Sequence, residues 1–215
     1  MTHITILGGT GYAGAAIAQE AAGRGHQVVS VSRSVPAALP AGVEHVAGDV
    51  TDQQFLTRLV SATEHIILAL SPRGTMEGHV REVAQALIPL AAAAGVRVGV
   101  IGGAGSLRVS PEGLRLVDTQ EFPPEFRAEA LELAEVWSQL RETEHDLDWY
   151  YISPAAGFGA HNPGERTGKY RTDDSGVLLT DADGASELSA EDLAVAVVDE
   201  VEMPKHRKAR FAVAY

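Results

Sequence analysis

Cysteine is absent from the 215-residue chain, which excludes disulfides, thiolate metal ligands and cysteine nucleophiles. Basic residues are scarce: 17 Lys and Arg stand against 29 Asp and Glu, a net charge of −12. A chain of that sign has no means of neutralising a nucleic-acid backbone broadly, so a nucleic-acid partner is not expected. No apolar run approaches the length of a membrane span, and no basic segment followed by an apolar one opens the chain. No membrane partner is therefore expected, and the expected location is cytoplasmic. Low-complexity tracts, linker-like stretches and solenoid-period repeats are also missing, so residues 1–215 read as a single domain. The histidines show no ligand spacing, and no metal site is expected.

What is present is hydrophobic content of 45%, enough for a substantial core, and a glycine-rich turn near the start. Residues 3–14, HITILGGTGYAG, read as a strand, a turn and a helix start. Gly8, Gly11 and Gly14 are three apart, and Gly9, Gly11 and Gly14 also satisfy G-x-G-x-x-G. Lacking Cβ atoms, such glycines let the chain turn sharply, bring backbone N–H groups to a phosphate and pack the helix on the sheet. The helix N-terminus adds partial positive charge. The whole turn, Gly8, Gly9, Thr10, Gly11, Tyr12, Ala13 and Gly14, is thus a candidate pyrophosphate cradle.

Further strands are expected at 27–31, 43–47, 65–70, 97–102, 148–153 and 210–215, seven in all, with helices near 11–23, 52–61, 76–94, 125–143 and 190–202. The alternation predicts an α/β fold, a single doubly wound Rossmann-like domain with a mostly parallel sheet. Thr51 with Gln54 resembles a capping box, Ser189 suits an N-cap, and Pro89 should kink its helix. In this architecture ligands sit beyond the carboxyl ends of the strands, which directs attention to the residues after each one.

Ser32-Arg33 follows the second strand. An arginine there suits a 2′-phosphate, favouring NADP(H) with NAD(H) still admissible; a solvated loop arginine is the alternative. Asp49-Val50 after the third strand either meets adenine or forms the turn into the next helix. Ala69-Leu70-Ser71 ends the fourth strand beside the expected pyrophosphate and nicotinamide ribose, and Arg73 beyond it either meets phosphate or faces solvent. Gly102-Gly103-Ala104-Gly105-Ser106-Leu107 ends the fifth; it is neither a Walker loop nor a nucleophile elbow. Ser106 offers a hydroxyl to the nicotinamide side or bonds its own turn. His161 is a candidate proton donor or a solvent-facing loop residue. Phe158 either stacks on an aromatic acceptor or fills the core edge.

GGTGYAG, GDVTD, IGGAGSL, DWYYISPA, GERTGKYR and the closing SELSAEDLAVAVVDEVE and RFAVAY together resemble the atypical short-chain dehydrogenase/reductase group of NAD(P)H-binding proteins. Within it the chain is similar to the NADH-flavin reductase-like subgroup, to biliverdin-IXβ/flavin reductase and, more distantly, to NmrA-like regulators. The resemblance spans the chain. It implies that Gly8, Gly11 and Gly14 bind pyrophosphate, Arg33 the 2′-phosphate and Asp49 with Val50 the adenine. It places Leu70, Gly102 and Ser106 on the nicotinamide side, with Pro154, Ala155 and Phe158 bordering cofactor and substrate. Residues 154–189 form the substrate-side segment, in which Glu165, Arg166, Lys169 and Tyr170 belong to a short ribbon closing over the site.

Two departures narrow the chemistry. The biliverdin-reducing relative carries histidine after its prolines where this chain has Ala155 and Ala156, so tetrapyrrole reduction is not expected. The Tyr-x-x-x-Lys pair of short-chain dehydrogenases, in which lysine lowers the tyrosine pKa, has no counterpart in FRAEALELAEVWSQLR. A flavin, quinone or similar conjugated acceptor needs less protonation help, because its own ring system takes up the electrons. The expected function is hydride transfer from NAD(P)H to such a small molecule. The alternative is a catalytically silent NADP(H) sensor of the NmrA type. Either a monomer or a homodimer paired through the helices near 76–94 and 125–143 is compatible.

Overall fold

The computed structural model describes residues 1–215. The strands are β1 (His3–Leu7), β2 (Gln27–Ser32), β3 (Val43–Ala47), β4 (His65–Leu68), β5 (Arg97–Ile101), β6 (Trp149–Pro154), β7 (Arg171–Asp173) and β8 (Ala209–Ala214). They make one sheet in the order β3-β2-β1-β4-β5-β6-β8-β7. All neighbours are parallel except β7 against β8. The helices are α1 (Tyr12–Gly23), α2 (Gln53–Ser61), α3 (Val80–Ala94), α4 (Arg127–Glu142) and α5 (Ala190–Glu202).

Side chains alternate across a strand, and each face carries its own core. Ile4 and Ile6 of β1 pack with Ile17 of α1 and Leu193 and Val197 of α5. Leu7, with Ile66 and Leu68 of β4, packs with Leu56 of α2, Leu87 of α3 and Leu133 of α4. β4, β5 and β6 are buried along their whole length, as strands covered on both faces must be. The order reverses between β1 and β4, which opens a crevice at their carboxyl ends. No helix is long and apolar enough to cross a membrane.

The structure adds an eighth strand to the seven expected. β7 directly follows the residues expected to form a ribbon and pairs antiparallel through Arg171–Ala214, Thr172–Val213 and Asp173–Ala212. Two expected helices begin later: a 3₁₀ turn at Gly74–Met76 precedes α3, and another at Pro124–Phe126 precedes α4. Pro89 sits inside α3, which continues to Ala94 and ends on Gly95 in the left-handed region. The cap of α2 is Asp52, not Thr51. Asp52 accepts from the N–H groups of Gln54 and Phe55, while Thr51 turns back to Asp49. Ser189 caps α5 as expected, accepting from the N–H of Asp192.

Candidate nucleotide and acceptor site

The β1–α1 turn is built on steric exclusion. Gly8 has φ +87°, and a Cβ there would lie 2.6 Å from the Ala69 carbonyl oxygen. A Cβ on Gly14 would stand 2.2 Å from the Gly8 oxygen, and one on Gly9 2.5 Å from Ser30 Oγ. Gly9 and Gly14, expected to hold cofactor, are thus packed against Ser30 and the Gly8 carbonyl, and neither lines the cavity that Gly8, Thr10, Gly11, Tyr12 and Ala13 help to form. Gly11 is the N-cap of α1 and no side chain caps it. The N–H groups of Tyr12 and Ala13 find no acceptor in the protein. Free donors at a helix N-terminus, in a turn that admits no Cβ, fit a dinucleotide pyrophosphate.

The cavity, about 690 Å³, runs along the carboxyl ends of β1 to β6, a size suited to a small-molecule ligand. At one end stand Ser32, Arg33, Asp49 and Val50. Arg33 Nη1 donates to Thr75 Oγ1 in the loop after β4. Asp49 Oδ1 accepts from the N–H and hydroxyl of Thr51 at 2.9 and 2.7 Å. Those bonds, backbone first, hold its carboxyl below the usual aspartate value, and the Arg33 charge assists. Asp49 thus shapes its turn and still borders the cavity.

Ala69, Leu70 and Ser71 line the middle. Ser71 Oγ donates to Glu129 Oε1 at 3.0 Å, and Arg73 Nε donates to Glu129 Oε2. Arg73 is thus paired while its side chain stays more than half exposed, and its guanidinium lies over the Phe126 ring, 5.3 Å from the centroid. Residues 71–75 form a strap tied to Arg33 at one end and to α4 at the other.

Gly102, Gly103, Pro154, Ala155, Phe158 and His161 line the far end. Phe158 meets Tyr12, with centroids 5.3 Å apart. His161 is exposed, and its ring stacks on Phe126 at 5.6 Å and 22°. Ser106 corrects the expectation. The 3₁₀ turn Ala104–Ser106 puts Ala104 and Gly105 on the cavity wall and Ser106 behind it. There Ser106 Oγ accepts from Arg210 Nη1 at 3.1 Å, and Arg210 lies over Trp137. A hydroxyl so placed does not line the cavity.

The expected closing ribbon is also elsewhere. Residues 163–170 are tied to α1 and α5, and none lines the cavity. Buried Asp192 accepts from the Thr167 and Gly168 N–H groups, both at 2.7 Å, and from the Tyr215 hydroxyl at 2.7 Å. Burial opposes the charge of Asp192, and these donors outweigh it, holding the carboxyl below the aspartate norm. Arg166 pairs with Glu20 at 2.9 Å, and Tyr170 donates to Asp199.

Sequence reasoning missed Leu116, Phe122, Phe126, Ala130 and Leu133, which wall the far end. The signal that would have found them is EFPPEF, two phenylalanines flanking prolines in an otherwise polar stretch. Across the whole cavity wall there is no lysine, and the only tyrosine is Tyr12, whose hydroxyl donates to the Pro163 carbonyl at 3.2 Å.

A family model described as NAD(P)H-binding matches residues 8–204. The uncharacterised protein YwnB of Bacillus subtilis (strain 168) is 35% identical over 212 residues, 98% of this chain and 97% of its own. A solved structure from Burkholderia pseudomallei, named as an inferred exported protein, is 40% identical with TM-score 0.86 and covers 100% of both chains. Another, from Streptococcus pneumoniae TIGR4 and named as an inferred NADH-flavin reductase, is 29% identical with TM-score 0.86, over 100% of this chain and 99% of its own.

Proposed function

Because this chain belongs to the NAD(P)H-binding family, we propose that it is an NADPH-dependent reductase delivering hydride to a planar conjugated acceptor, a flavin or a quinone, without a Tyr-x-x-x-Lys proton relay. The observation that carries this reading is the cavity along the carboxyl ends of β1 to β6, with the free Tyr12 and Ala13 N–H groups at one turn and an apolar wall of Leu116, Phe122 and Leu133 at its far end. Bound NADPH would supply a hydride equivalent, and the protein's part is binding, orientation and exclusion of water. Tyr12 and Ala13 N–H groups would hold the pyrophosphate. Arg33 would take the 2′-phosphate, which supports NADP(H) over NAD(H). The ring of Phe158 offers stacking surface to a flat acceptor. A cytoplasmic place of work accords with dependence on a diffusible dinucleotide.

The test is stopped-flow loss of nicotinamide absorbance with NADPH and then NADH, in the presence of riboflavin, FMN or a short-chain quinone. Acceptor-dependent oxidation well above the protein-free rate is expected. Arg33→Glu should weaken NADPH about tenfold or more while leaving NADH less affected, since it exchanges a charge-assisted partner for a repulsive one. Clear NADPH binding by calorimetry without turnover of any acceptor would instead support a dinucleotide sensor.

A further inference from the structure

The two ends of the cavity differ in charge. Arg33 and Asp49 face the adenosine end, while Arg73, Glu121, Glu129 and His161 face the other. Arg73 is the one permanent cation at that acceptor end, and it is already claimed. Its Nε donates to Glu129, the more enclosed partner: the Glu129 side chain is 19% exposed and that of Arg73 58%. Glu129 is itself fixed by Ser71 through its other oxygen, and Phe126 lies under the guanidinium. With Glu121 nearby, the acceptor end holds two carboxylates against one paired guanidinium. A phosphate tail arriving there would meet repulsion and no free cation, whereas an uncharged ring system would meet the apolar wall of Leu116, Phe122 and Leu133.

We propose that Glu129, by holding Arg73, makes this end of the cavity select uncharged conjugated acceptors over phosphorylated ones: riboflavin or a quinone over FMN. This rests on the reductase reading of the same cavity. Glu129 is a specificity-determining residue in this view, acting through Arg73 and not through a reacting atom. Removing its charge frees a guanidinium suited to phosphate.

Binding of riboflavin and of FMN to the protein loaded with NADP⁺, followed by flavin fluorescence quenching, tests the proposal without relying on turnover. In the unaltered protein riboflavin should bind more tightly than FMN. Glu129→Gln should lower the FMN-to-riboflavin Kd ratio about three- to tenfold, the range of a single partly exposed ion pair, and added salt should shrink that gain. Arg73→Gln alone should raise the ratio, because it leaves the Glu129 carboxylate unpaired to repel the phosphate. The double variant should lose what Glu129→Gln gained. FMN binding as tightly as riboflavin, or a ratio unmoved in Glu129→Gln, overturns the proposal while the reductase reading stands. A Glu129→Gln gain that persists in the double variant overturns it too, since the guanidinium would then not be its source. If neither flavin binds a protein that binds NADP⁺, the flavin reading falls and this selectivity with it.

Discussion

Two glycines of α1 show how one chemical change acquires opposite signs at the residue scale. Gly14 faces the Gly8 carbonyl so closely that a Cβ would stand 2.2 Å from its oxygen, whereas a Cβ on Gly23 would meet nothing within 4 Å. Backbone cannot step aside as a flexible side chain can. Gly14→Ala should therefore displace the turn, cost about 1–3 kcal/mol as overpacking does, and weaken NADPH about tenfold by misplacing the Tyr12 and Ala13 N–H groups. Gly23→Ala should stabilise by about 0.4–1 kcal/mol through the unfolded chain. Urea midpoints and NADPH calorimetry on both variants check this; equal effects would sink the steric account. The motif itself was legible because glycine's role is local. Which glycines line the cavity was not: Gly9 and Gly14 satisfy the pattern as fully as Gly11, and only Ser30 and the Gly8 carbonyl, brought up by tertiary packing, show how closely they are packed.

At the scale of elements, the core strands were readable because β4, β5 and β6 carry the hydrophobic runs 66–68, 98–101 and 149–152, and parallel strands covered twice leave that signature. The caps were less so. Thr51 and Asp52 are both good cap residues, and the choice between them depends on Asp49, which captures the Thr51 hydroxyl and N–H. Asp52 then holds two of the free N–H groups of α2 at 2.8 and 3.1 Å. Asp52→Ala should lower stability by about 1 kcal/mol. Thr51→Ala should cost less, because its hydroxyl serves an exposed turn; a larger loss in Thr51→Ala would restore the capping box. The segment between β5 and α4 was the least legible. Ser106, Leu116 and Phe126 lie in short 3₁₀ turns or irregular chain without periodicity, and their facing is set by distant partners such as Arg210 and His161. The same cause hid β7, whose three residues become a strand only because the chain's last strand offers an edge.

Across the whole molecule, the edge of the sheet opposite the cavity is joined by a buried polar network. His65 of β4 pairs with the Tyr150 hydroxyl of β6 at 3.1 Å, and Arg97 of β5 lies over the Tyr150 ring. Arg97 also reaches Glu200 of α5 at 2.7 Å and the His206 carbonyl at 2.7 Å. Burial, aided by the Arg97 charge, pushes the His65 pKa from 6.5 down to about 3. The folded protein thus keeps His65 neutral where the unfolded chain would protonate it. Between about pH 6.5 and 3 the unfolded state binds the extra proton, so stability rises with pH through that window. The contribution is complete above pH 6.5 and is lost progressively on acidification. From pH 7.5 to 5 the loss should be about 2 kcal/mol, following about 1.4 kcal/mol per pH unit once well below 6.5. Glu200 and Asp192, held below their usual values, add their own losses only at lower pH. Urea unfolding across that range should show the midpoint falling in the unaltered protein. His65→Gln, which keeps a hydrogen-bonding group beside Tyr150 without a titrating ring, should flatten the dependence. An equally steep dependence in that variant would place the titrating group elsewhere.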